Sequence, residues 1–336
     1  MTEFAHTDVA VVDDPSAGVE PVAGAGSAGP QRRMPLPDFA RLLLRNPKSA
    51  FGIAVFAGIV LVSIAAPLLT HGDPTVPNDL PGQAPSRELP FGSTDQGYNV
   101  YTQVLYGGRL SLLVAGSATL ISMAIAITLG LVAAYSGGWI DDCINLLTNI
   151  FLVIPGLPLL IVISAFLTST GPATMAVIIG LTSWAIETRI LRGQAMSLRN
   201  RDFVLAAKVA GESTPRIVFG ELMPNMLSRI AAGFAFVFVQ AIFLEAALEF
   251  LGFGDANKVS WGTILFWATN NSTLLQGEWW HFVFPGAAIS LTILAIVFVN
   301  YGIDELSNPR LSSKSPRKRR RRRMLAGILW PRSAAA

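Results

Sequence analysis

Glu245 and Glu249 are the only acids in the apolar run from Asn225 to Phe253. Their i,i+4 spacing puts both carboxylates on one face of a helix. Acids inside an apolar run carry a functional reading by default: a hydrogen-bonding gate or a substrate contact. The structural alternative is that one glutamate satisfies loop N–H groups while the other sits at the water boundary. Other chemistry is missing. No G-x-x-x-x-G-K-[ST] segment occurs, so the chain has no phosphate-cradling loop of its own. No Ser/His/Asp or Cys/His arrangement can be argued. His6, His71 and His281 are scattered and are not expected to form a metal site, and the single Cys143 excludes an internal disulfide. Any uphill work must draw on a partner or an ion gradient. Ion-driven carriers show buried charges in mid-span and often repeated halves, whereas the mid-spans here are nearly bare.

The second constellation is the polar stretch Arg199 to Asn225, RNRDFVLAAKVAGESTPRIVFGELMPN. Unstructured connections of that length are uncommon, so internal order is expected. Asn200 caps a first helix, with Asp202 in its first turn, where a negative charge suits the dipole. Gly211 ends that helix in a left-handed conformation. Thr214 caps a second helix with Pro215 at its first position, and Pro224 opens the following apolar helix. Ala206 and Ala207 give the first helix a low face that another protein can approach closely.

The elements that must position these groups are membrane spans. Of the 336 residues 51% are hydrophobic and 14% charged, with a mean hydropathy of +0.49; a soluble domain carries about 25% charged residues. A crossing needs about 20 apolar residues. Uncharged runs cover Ser49–Gly72, Leu110–Ile140, Cys143–Ile186 and about 282–302, and a further apolar run, Asn225–Phe253, carries only Arg229, Glu245 and Glu249. The third is too long for one crossing and divides at Thr168–Pro172, which gives six spans and an all-α class. Arg32, Arg33, Arg41, Arg45 and Lys48 precede the first run, and the other proposed inner segments hold most of the basic residues, so both ends are expected inside. With Trp261, Trp267, Trp279 and Trp280, part of the 254–281 loop is expected to lie in the membrane interface or to re-enter the membrane.

The organisation expected is a disordered leader at 1–37 and a first span with an external loop at 38–107. A core with five spans follows at 108–311, its inner loop at 190–223, and then a basic tail at 312–336. The tail contains Arg317, Lys318, Arg319 and Arg320 in a run of seven basic residues, then an apolar segment ending at Trp330. It is read either as a solvated end or as a contact with anionic lipid, worth about 1 kcal/mol per basic residue near the surface. Contact with another subunit is a third reading, and nucleic acid is not an expected partner.

Ala206-Ala207, three residues, Gly211, then twelve residues to Pro224 resembles the cytoplasmic "EAA" motif of ABC importer permeases, E-A-A-x3-G-x9-I-x-L-P. Leu205 stands at the usual Glu, Glu221 at the usual Ile and Met223 at the Leu. Phe91 to Gly97, Tyr106 to Leu112, Tyr135 to Asp141 and Glu245 to Gly254 are similar to segments of the dipeptide/oligopeptide/nickel permease "C" subunits, with Glu249 where Ser is usual. Trp261-Gly262, Pro285-Gly286 and Asn308-Pro309-Arg310 fit as well, so the resemblance covers about residues 38–311. It implies a type I importer permease fold in a bacterial plasma membrane, paired with a homologous "B"-type permease. It also implies two ATPases that hold the ATP and Mg, an external substrate-binding lipoprotein, and no cofactor in this chain. The ATPase contact would fall on Arg201, Asp202, Ala206, Ala207, Gly211 and Pro224. Di- or oligopeptides are the expected cargo, with oligosaccharides or nickel as alternatives. A stand-alone carrier or channel is the reading from another class.

Overall fold

The computed structural model describes residues 44, 46–70, 72–167 and 171–307. The leader and the basic tail, with Arg317, Lys318, Arg319, Arg320 and Trp330, lie outside these residues.

The first helix, α1 (Pro47–Ile64), starts where the Asn46 side chain accepts from the Lys48 N–H at 3.1 Å and Pro47 takes the first helical position, where its missing N–H does no harm. The long α2 (Val100–Ser136) is capped by Asn99, which accepts from Thr102 N–H at 3.1 Å. It begins ten residues earlier than the uncharged run predicts, because its first turns lie among loop residues where polar side chains are tolerated. Then come α3 (Gly138–Val153), α4 (Gly156–Phe166), α5 (Pro172–Thr182), α6 (Ala185–Leu198) and the short α7 (Asp202–Val209). Beyond the polar stretch lie α8 (Leu227–Phe250), α9 (Trp261–Asn270) and α10 (Trp280–Ser307). The described residues contain one isolated antiparallel bridge, Ser93 with Asn99, and no longer strand.

Among the described residues four helices are long and apolar enough to cross a bilayer by themselves: α1, α2, α8 and α10 up to Ile303. The fifth and sixth candidate crossings are bent pairs, α3 with α4 at 87° and α5 with α6 at 43°. The expected six therefore stand only if each bent pair counts once. The sharper break has a local cause. Ile154 precedes Pro155 and adopts ψ 124°, as the proline ring demands of its predecessor.

The helix α2 packs against α1, α5, α6 and α8, and α10 packs against α1, α8 and α9. Small residues allow close approach, the usual device between helices in lipid. A Cβ at Gly52 of α1 would come 2.5 Å from the Ala295 carbonyl of α10, and one at Gly180 of α5 would come 2.8 Å from Ile121 of α2. Among the described residues two large apolar clusters result, and a small third one in which Ala232 of α8 and Ile303 of α10 pack with Ile53 of α1. Of the large ones, one joins the end of α2 to α6, to the residues after α7 and to the start of α8; the other joins the beginning of α2 to α5, α9 and the end of α8.

Two of the loop tryptophans serve as internal anchors. Trp261 and Trp280 are buried, at 2% and 6% exposure. Their Nε1–H groups donate to Val104 O at 2.8 Å and Ser93 O at 2.9 Å. They bolt the loops to the helices; Trp279 is exposed.

Candidate functional site

The polar stretch folds into a protruding knob between α6 and α8. Arg201 is the N-cap of α7, with extended backbone and no side-chain capping bond, so the cap expected at Asn200 falls one residue later. Asp202 does occupy the first turn. The far end follows the sequence closely. Gly211 has φ +77°, its N–H bonds to Lys208 O at 3.1 Å, and Glu212 N–H bonds to Ala207 O at 3.1 Å. This paired closure satisfies carbonyls that a helix end otherwise leaves open.

The next turn starts at Ser213, not Thr214, with Pro215 in its first turn. It runs into a wide π-helix, Ile217–Leu222, that the sequence did not announce. Met223 N–H bonds to Val218 O, closing the wide turns just before Pro224, which has no N–H to give. Pro224 lies in a short turn, Met223–Asn225, and α8 begins only after Met226, at Leu227.

The knob has two faces. Val204 is fully buried, and Phe203 and Ala207 pack against the same cluster. Arg201, Asp202, Leu205, Ala206, Lys208 and Val209 are exposed, Val209 at 90% and Leu205 at 46%. Ala207 thus belongs half to the inner face, while Ala206 is on the open one. Lys208 Nζ stands 5.1 Å over the Tyr135 ring at the end of α2, and Arg199 Nη1 donates to Ala134 O at 2.9 Å.

Ion pairs brace the base. Arg229 of α8 donates through Nη2 to both Glu187 oxygens, at 2.9 and 2.8 Å, and Glu187 is 1% exposed. Arg192 grips Asp141 through Nε and Nη2 at 2.5 and 2.6 Å, tying α6 to α3. Arg189 donates to Asn149. Glu187, Arg189 and Arg192 carry no motif in the sequence. Their partners lie forty or more residues away, and nothing local announces them.

The second candidate site, at the other end of α8, is the carboxylate pair. Glu245 and Glu249 are both buried, at 0% and 4% exposure, so neither meets the water boundary. Glu245 Oε1 accepts from Ser111 Oγ of α2 at 2.9 Å, and Ser111 Oγ in turn accepts from Trp261 N–H at 3.2 Å. Glu249 Oε2 accepts from Ser260 Oγ. Ser260 caps α9 in a reciprocal box with Thr263. Gly254 and Gly262 leave room for Glu249, since a Cβ at either would stand 2.7 Å from it. The acids therefore join α2, α8 and the start of α9 in one polar knot.

Among the described residues a cavity of about 200 Å³ opens beside this end, lined by Thr94, Asp95, Lys258, Trp267, Asn271 and His281 among others.

Comparison with known proteins places the chain in context. The profile of the family described as "binding-protein-dependent transport system inner membrane component" matches residues 126–313. The chain is 34% identical over 277 residues to the dipeptide transport system permease protein DppC of Alkalihalophilus pseudofirmus, covering 81% of this chain and 88% of that protein. It is 34% identical over 281 residues to the protein of the same name in Bacillus subtilis, covering 82% and 85%. A solved chain of the MetNI methionine ABC transporter, in an inward-facing conformation, aligns with a TM-score of 0.47 at 14% identity, over 61% of this chain and 94% of that one.

Proposed function

The chain belongs to the inner-membrane components of binding-protein-dependent transport systems, and from that premise we propose that it is the "C"-type permease subunit of an ATP-driven importer of di- or oligopeptides. It is a permease subunit and not itself an enzyme. ATP and Mg would be held by two ATPase subunits seated under this chain and a homologous "B"-type permease. An external binding lipoprotein would deliver the substrate. Peptides are the cargo of choice because the relatives matched over four-fifths of the chain are named for dipeptide transport. Both chain ends would lie in the cytoplasm.

The observation that carries this reading is the open face of α7. A short helix, anchored at its base by Val204 and closed by Gly211, leaves Ala206 and Val209 exposed and Leu205 about half exposed. An apolar face on a polar insert is what a docked partner would cover. A rigid helix suits the task, because it passes on displacement without absorbing it in backbone torsions. The π-helix beyond it, a feature frequent at functional sites, would let the knob tilt relative to α8.

Purification distinguishes this from a carrier acting alone. The chain should co-purify with nucleotide-binding subunits and transport nothing without them. Val209→Asp should release those subunits from a well-folded chain. Peptide uptake by the isolated chain in vesicles, driven by an ion gradient, would overturn the assignment.

A further inference from the structure

We infer that Asp95, Glu278 and His281 form a binding site for one divalent transition cation of the zinc type. The site is distinct from the knob and from the Glu245/Glu249 knot. One ligand atom from each of the three residues lies within 4.8 Å of the other two. Zinc ligands in a tetrahedral shell, at bonds near 2.1 Å, stand about 3.4 Å apart, so a small adjustment of side-chain torsions closes the set.

Two observations point to a ligand and not to a fortuitous cluster. His281 is 2% exposed, and its Nδ1 has no hydrogen-bond partner among the described residues; Glu278 is 6% exposed, and its Oε2 has none either. Buried polar atoms are almost always satisfied, and leaving one bare costs about 1–3 kcal/mol. A single cation would satisfy both.

The surroundings hold the three side chains in place. Glu278, two residues before α10, and His281, in its first turn, are joined by His281 N–H on Glu278 O at 3.3 Å. Asp95 comes from the loop before α2. Trp280, between the other two ligands, fastens that loop through Ser93 O at 2.9 Å. Asn271 Nδ2 donates to Asp95 Oδ1 at 3.1 Å, the kind of outer support that orients a carboxylate for a metal. Gly82 makes room for Glu278, since a Cβ there would stand 2.7 Å from Oε1.

The donor set decides the class of ion. One imidazole and two carboxylates suit borderline cations, while magnesium and calcium prefer all-oxygen shells. Three protein ligands leave a fourth position open towards the cavity that Asp95 and His281 line. The bound ion would cross-link the 72–99 loop to the start of α10, two segments far apart in sequence.

The test uses the full-length, tag-free chain with its co-purifying subunits, equilibrated in detergent with zinc chloride buffered to micromolar free ion. Elemental mass spectrometry should find about one site-specific zinc per chain, with binding at least tenfold weaker in Asp95→Asn, Glu278→Gln and His281→Gln. Zinc should raise the Tm of the unmodified chain, with reversal by a chelator, and leave that of His281→Gln unchanged. Zinc X-ray absorption on the unmodified protein needs no variant to fold, and it should show a single imidazole among oxygen neighbours. No stoichiometric zinc, retention by His281→Gln equal to that of the unmodified chain, or a shell with two or more imidazoles would overturn the site.

Discussion

Arg229 holds both carboxylate oxygens of Glu187 through one nitrogen, at 2.9 and 2.8 Å, and so joins α8 to α6 directly across the base of the α7 knob. Glu187 is 1% exposed, and a Cβ at Gly233 would come 2.8 Å from its Oε2 and 3.0 Å from Met123 Cε. Space for the pair is therefore made by a missing side chain.

Glu187→Ala should be costly, because it strands a guanidinium that is already short of partners at Nε. Breaking one side of a buried pair costs about 3 kcal/mol or more. Thermal unfolding in detergent should show a marked fall in Tm. Gly233→Ala should produce a smaller fall by pushing Glu187 off its partner, and no change in either variant would refute the bracing role.

Gly211→Val should abolish transport while insertion persists. Its φ of +77° is strained for any side chain, and a built Cβ meets nothing within 4 Å, so the penalty is torsional and not steric. Holding the left-handed conformation costs about 1–2 kcal/mol for an ordinary residue, with a β-branched one worse. Gly211→Asn should retain most activity. Uptake and ATPase stimulation in vesicles report both, and equal activity of the Val and Asn variants would count against a turn that must keep its shape.

Asp141 and Arg192 should couple in a double-mutant cycle by about 1 kcal/mol or more. Their contact is bidentate and both side chains are largely shielded, at 15% and 23% exposure. Additive losses in Asp141→Ala, Arg192→Ala and the double variant would show that the contact contributes nothing.

Glu249→Ala should lower stability by about 2 kcal/mol, since Ser260 loses its acceptor in a buried place. Glu249→Gln should keep the α9 cap nearly intact. If the two variants melt alike, the polar knot is not what holds α9 to α8.

Asp73 supplies a pH prediction. It accepts from Thr75 N–H at 2.8 Å and Thr75 Oγ1 at 2.5 Å, and these bonds hold its carboxyl below the ordinary 3.8. A depressed carboxyl contributes stability that is present above its unfolded value and lost as pH falls through the folded one. Replacing Thr75 with Val should make the acid limb of the Tm profile, below about pH 4, slightly shallower; an unchanged limb would remove Asp73 from the account.

Some of this architecture was legible in the residues because its cause is local. Gly211 had to take a positive φ wherever a helix stopped before Glu212, and the structure places it there. The spans were legible because lipid permits few charges. The π-helix was not, since its register follows from how Ile217, Val218 and Leu222 bury against α2, which no short window records. For the Glu245/Glu249 pair the residues leave open a gate or substrate contact and a structural role, because the Ser260 partner of Glu249 lies beyond a loop. His281 looked isolated among three scattered histidines, as Asp95 reaches it only after Trp280 has drawn the first loop down.

The right-angled elbow between α3 and α4 limits their reach. Their 16 and 11 residues would measure about 40 Å end to end if straight, at 1.5 Å per residue. Folded at 87°, the same backbone gets about 29 Å from tip to tip. That equals a hydrocarbon slab of roughly 30 Å only when both arms lean. The pair is thus a two-armed strut and not a rod: it gives up length and gains width.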